Sequence, residues 1–80
     1  MERPDKINGP EVIRALELMG LTMHYRSGPF CVFLNRAPGE RVLFMVDGWD
    51  LPSDDIEETL RNNNLDVVRF WECYNSLFRN

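Results

Sequence analysis

The sequence is poor in the side chains that carry most enzyme chemistry. Histidine occurs once, at His24, and cysteine twice, at Cys31 and Cys73. Two distant thiols without CxxC spacing are neither a disulfide framework nor a redox motif, and with one imidazole they do not make a structural zinc site. No metal and no cofactor is expected. Long apolar runs are also missing. The longest, Val42-Leu43-Phe44-Met45-Val46, falls far short of the roughly 20 residues that span a bilayer. Met1 to Lys6 lacks the apolar stretch of a signal peptide, so the expectation is a cytoplasmic protein with no membrane partner. Cations are outnumbered, with 9 Lys and Arg against 13 Asp and Glu and a net charge of −4. That balance excludes broad electrostatic binding to nucleic acid, although it leaves room for a local basic patch.

What is present is an ordinary globular composition. Of 80 residues, 44% are apolar and 28% charged, enough for one domain and one core. Residues 1–8 are polar and read as a flexible N-terminus, leaving 9–80 as a single α+β domain. Pro10 sits where a helix tolerates it, and Val12, Ile13, Leu16 and Met19 follow at helical spacing before Gly20. A helix over 10–19 is predicted. Three strands follow, over 21–26, 30–34 and 41–46, separated by turns at Ser27-Gly28 and Ala37-Pro38-Gly39-Glu40. A two-residue turn at Ser27-Gly28 would pair Arg26 with Pro29, Tyr25 with Phe30 and His24 with Cys31. Residues 47–52 read as a loop. Ser53 is a good N-cap for a helix ending at Asn62-Asn63-Asn64, and Asp66 caps a last helix. The predicted order is α-β-β-β-α(-α), a three-stranded antiparallel sheet with its helices on one face. The second and third strands are apolar at nearly every position, which predicts an apolar outer face covered by the last helix or by a partner.

Several local patterns resemble the HicA family of bacterial toxin–antitoxin systems. Pro10 to Leu21 is similar to that family's opening helix, with its terminal Gly and apolar residue. Tyr25-Arg26-Ser27-Gly28 is similar to the turn before its catalytic histidine. Asp50-Leu51-Pro52, followed by Ile56 to Leu60, resembles its final loop and helix. The resemblance covers about residues 7–72. It implies a fold like a double-stranded-RNA-binding domain, cleavage of messenger RNA, and silencing by a HicB-like antitoxin. The departures bear on chemistry. The family's Gly-Ser-His is here Gly28-Pro29-Phe30, so Phe30 stands at the histidine position, and Asp47 stands at a second frequent histidine. Basic residues common before and within the family's last helix are absent, with no Lys or Arg between Arg41 and Arg61. Cleavage by the 2′-OH needs a group that exchanges a proton near pH 7, which imidazole does and phenyl does not.

The candidate residues fall into two sets. His24, Arg26, Ser27 and Gly28 are candidates for RNA binding, with His24 as the weak candidate for a relocated catalytic imidazole. Asp47, Trp49, Asp50, Asp54, Asp55 and Glu58, from an acidic loop and helix, are candidates for docking a partner. The same run reads equally as a solvated face whose acids favour a helix N-terminus. Phe70, Trp71, Tyr74 and Phe78 form an apolar stripe that serves either as core or as a partner-binding helix. The reading that follows is a catalytically inactive HicA-like domain acting as a protein-interaction module, by self-association or with a HicB-like protein. The alternative is an RNA-binding or mRNA-cleaving toxin.

Overall fold

Asn8 starts the first helix. Its side chain accepts from the Glu11 backbone N–H at 2.9 Å, and the Glu11 carboxylate accepts from the Asn8 N–H at 3.3 Å. This reciprocal box satisfies two donors that a helix start leaves unpaired. The computed structural model describes residues 3–34, 41–45 and 51–79. The elements run β1 (Lys6–Ile7), α1 (Gly9–Leu18), β2 (Thr22–Ser27), β3 (Phe30–Leu34), β4 (Arg41–Met45), β5 (Leu51–Pro52), α2 (Ser53–Asn62) and α3 (Val67–Phe78). The α+β architecture and the β2-β3-β4 antiparallel sheet are those predicted.

Helices α1 and α2 end in the same way. After α1, Gly20 adopts φ +108°, its N–H donates to the Glu17 carbonyl, and the Leu21 N–H reaches the Leu16 carbonyl. After α2, Asn64 adopts φ +58°, its N–H donates to Arg61, and the Leu65 N–H reaches Leu60. Both are Schellman closures, in which a left-handed residue lets the chain fold back on open carbonyls. Leu21 and Leu65 are thereby drawn toward the core.

The β2–β3 register differs from the expected one. The turn is Gly28-Pro29, so Ser27 pairs with Phe30, Arg26 with Cys31 and Tyr25 with Val32. Gly28 takes φ +58°, a conformation that suits glycine in a tight turn. The register shifts between Met23 and Tyr25, placing a bulge at His24. The bulge restores Met23 opposite Phe33. Without it, Met23 would share a face with Tyr25, and the apolar residue would leave the core side.

Strand alternation then separates two faces. Cys31, Phe33, Val42 and Phe44 point inward and are fully buried, with the Phe33 and Phe44 rings edge to face at 6.1 Å. They join Val12, Ala15 and Leu16 of α1, Ile56 and Leu60 of α2, and Phe70, Trp71 and Tyr74 of α3. Val32 belongs to the outward face yet is buried, while Tyr25 is 48% exposed. Phe30 and Leu34, also outward, are half-buried.

Regular structure begins ahead of α1, within the stretch expected to be flexible, and includes part of the expected 47–52 loop. Lys6 and Ile7 pair antiparallel with Pro52 and Leu51, and Ile7 is buried. The Ser53 N–H donates to the Asp5 carbonyl at 2.9 Å and its hydroxyl to Pro4. Ser53 is therefore not the N-cap of α2. Pro52 holds that position without a side-chain bond, and Ser53 is the first helical residue, bonded to the N-terminal strap. Asp66 caps α3 as expected, accepting from Arg69 N–H at 3.1 Å.

Glu57 joins α2 to α3. Its carboxylate accepts from Trp71 Nε1 at 2.8 Å and lies 3.5 Å from Arg3 and 3.6 Å from Arg61. Tyr74 of α3 lies near Glu11 of α1. Burial, then the nearby Glu11 carboxylate, pushes its hydroxyl above the usual tyrosine range.

Two stability predictions follow from these contacts. Asn8→Ala removes the cap and lowers unfolding free energy by about 1 kcal/mol in urea titrations. Glu57→Ala strands the Trp71 N–H and costs about 1–3 kcal/mol, while Glu57→Gln, which keeps an acceptor, costs clearly less.

Candidate functional site

The RNA-binding candidates lie at one end of the β2–β3 hairpin. His24 sits on the bulge and is exposed, with its ring edge-on to Tyr25 at 5.3 Å. Arg26 is exposed and donates through Nε to the Gly28 carbonyl at 3.3 Å. Ser27 contributes its backbone to the pair with Phe30, and Gly28 makes the turn. Arg26, not His24, lies across from Cys31. The expected thiol–imidazole juxtaposition is therefore lost with the register. Burial pushes the Cys31 thiol up, and the Arg26 charge opposes that only in part. A buried thiol held in its protonated form is a poor nucleophile.

Among the partner-docking candidates, Asp47, Trp49 and Asp50 lie outside the described residues. Asp54 is exposed and bound to Arg3 at 2.6 Å. Hydrogen bonding to Asp54, chiefly, holds the Arg3 guanidinium above its ordinary range. Asp55 and Glu58 are exposed on α2. Phe70, Trp71 and Tyr74 are buried, stacked edge to face with Phe70–Trp71 at 4.9 Å and Trp71–Tyr74 at 5.5 Å. Of the two uses considered for that stripe, the core takes these three. Phe78 alone reaches solvent appreciably, at 38% exposure.

Phe30 is placed differently from the other hairpin residues. It lines a cleft of about 270 Å³ together with Phe44, Leu51, Ile56, Asp55 and Thr59. Phe44 and Ile56 enter from the core side, Leu51 from the strap pair, and Asp55 and Thr59 from successive turns of α2. Thr59 Oγ1 donates to the Asp55 carbonyl at 3.0 Å, so its hydroxyl is already partnered. The cleft is a mostly apolar recess with one carboxylate residue in its wall. It lies below the roughly 300–1,000 Å³ typical of drug-sized ligand and cofactor sites, and suits one or two apolar side chains. Sequence reading identified Phe30 and Asp55 separately but gave no signal that β4, β5 and α2 would bring them to one recess. Among the described residues, no three His, Cys, Asp or Glu side chains converge as a metal site requires. No described helix is long and apolar enough to cross a membrane.

Thiol chemistry gives a direct check on this arrangement. In the native protein at pH 8, iodoacetamide should leave Cys31 unmodified, with labelling followed by mass spectrometry. Its rate should rise with urea in parallel with unfolding.

Compared with known proteins, the sequence matches no family model, no curated protein and no solved structure.

Proposed function

We propose that this chain is a non-catalytic, HicA-like domain that acts as a protein-interaction module and receives its partner at the cleft beside Phe30. The position of Phe30 carries the reading. By the resemblance, it stands where HicA-type ribonucleases hold their histidine. Here it is a wall of an apolar recess that also contains Asp55. A phenyl ring cannot exchange a proton, and a carboxylate beside the recess repels a phosphodiester. The recess favours apolar groups instead. The outward sheet face adds to this reading, because Tyr25 is exposed there and Phe30 and Leu34 are half-buried, all outside the packed core. The partner class is protein, with a HicB-like antitoxin or a second copy as members of it.

A second reading, an RNA-binding or RNA-cleaving toxin, is favoured by the exposed His24 and Arg26 at the hairpin. Against it, α2 exposes Asp54, Asp55 and Glu58, which repel a phosphate chain.

The two readings separate on RNA. The full chain is incubated with short single- and double-stranded RNA between about pH 5.5 and 8, where an imidazole changes charge. Amide-resolved NMR is recorded at low and moderate salt. The expected result is intact RNA and no salt-sensitive shifts at residues 22–30. Cleavage that is lost in His24→Ala, or salt-sensitive binding that weakens in Arg26→Ala, would overturn the proposal.

A further inference from the structure

Most of the cleft wall is carried by one stretch of chain. Leu51, Pro52, Asp55, Ile56 and Thr59 come from β5 and the first two turns of α2, and Phe30 and Phe44 of the sheet complete the lining. The cleft is therefore a seam between the sheet and that stretch. Its width depends on how firmly β5 and the start of α2 are held.

The N-terminal strap, residues 3–7, attaches at that point. Lys6 and Ile7 pair with Pro52 and Leu51, so both β5 residues of the cleft wall are also partners of the strap. The Pro4 and Asp5 carbonyls accept from the Ser53 hydroxyl and N–H. Arg3 reaches Asp54 and Glu57. Pro52 makes no side-chain cap bond, and these contacts stand in for one at the helix start.

The strap itself is lightly anchored. Of its residues only Ile7 is buried, while Arg3, Asp5 and Lys6 are exposed. Its ladder is two residues long. The Arg3–Asp54 pair is open to solvent and screened by salt. β3 is held differently. It is paired with a strand on each side, and Cys31, Val32 and Phe33 are all buried. A segment with one apolar anchor and few enclosed bonds opens at lower free energy than such a core strand.

We propose that the strap gates the cleft. Residues 3–7 leave as a unit in transient openings during which the β2-β3-β4 sheet stays folded. Their release frees β5 and the first turn of α2, and the seam beside Phe30 widens. The strap in place, as seen here, is the narrow state. The gate operates whatever the cleft receives, so it does not rest on the interaction-module reading.

Native-state hydrogen exchange on the full ¹⁵N-labelled chain tests the gate. The Ser53 amide, which donates to Asp5, reports on the strap. The Ile56 amide, in the first turn of α2, reports on the cleft wall, and the Cys31 amide on the sheet. Ser53 and Ile56 should be at least about tenfold less protected than Cys31. Their exchange should stay nearly flat in low urea, while that of Cys31 rises steeply. A reversible lock supplies the second measurement. Lys6 and Pro52 are opposed in the pair and exposed, so Lys6→Cys with Pro52→Cys sets two thiols in register. Oxidation should slow Ser53 and Ile56 together and give both the urea dependence of Cys31, and reduction should restore the flat profile. The proposal is overturned if Ser53 and Ile56 follow Cys31 in urea before any lock is closed, because the strap then leaves only on global unfolding. It is equally overturned if the lock slows Ser53 and not Ile56, because the strap then opens without the cleft wall.

Discussion

The N-terminal strap holds α2 in place, and the rest of the structure depends on that attachment. Pro4 and Asp5 present carbonyls to the Ser53 hydroxyl and N–H, and Lys6–Ile7 pair with Leu51–Pro52 immediately before the helix. Pro52 supplies no side-chain cap, so the strap takes over part of the task that a capping side chain performs elsewhere. The first turn of α2 is thus fixed by residues about fifty positions away in sequence. Burial of Ile7 secures the strap, because withdrawing it would expose a fully enclosed side chain. At the middle of α2, Glu57 adds a second attachment through Trp71. An exposed ion pair such as Arg3–Asp54 contributes little by comparison.

Local signals in the sequence made several elements readable. The period of Val12 and Leu16, Gly20 as a helix stop and Asp66 as a cap are decisions made within a few residues. They appear in the structure where expected, while the expected turn at Ala37-Pro38-Gly39-Glu40 lies outside the described residues. The failures involve longer range or competition. The hairpin turn moved by one residue because Gly28 takes the left-handed position and Pro29 follows it, and the bulge at His24 then absorbed the slip. The strap was illegible because two-residue strands have no period. Ile7 alone in a polar stretch gave no warning that it would be buried. Ser53 read as a cap because capping is the usual use of a serine before acids, yet its hydroxyl is used by Pro4. The cleft was illegible for the same reason as the strap, since its walls come from four separate elements.

The bulge has a consequence for the hairpin's chemistry. It keeps Met23 on the core side and leaves Arg26 across from Cys31, at an end where the arginine turns back to the Gly28 carbonyl. His24, the only imidazole, is placed on the irregular residue itself, exposed beside Tyr25. Bulges on edge strands also discourage strand addition. β2 lies at one margin of the sheet and carries this feature, so its irregularity serves both the alternation of the core and the protection of that edge.

The cleft divides into residues the fold requires and residues it does not. Phe44, Leu51 and Ile56 belong to the core, and changing them would cost stability. Phe30, Asp55 and Thr59 lie outside the packed core cluster. Asp55 is in the first turn of α2, where a negative charge is favourable in its own right. A carboxylate at this helix position therefore requires no loss of stability. Phe30, at the start of β3, is half-buried against an existing apolar wall. Side chains at these three positions can vary while the strap, the caps and the inner sheet face stay as they are.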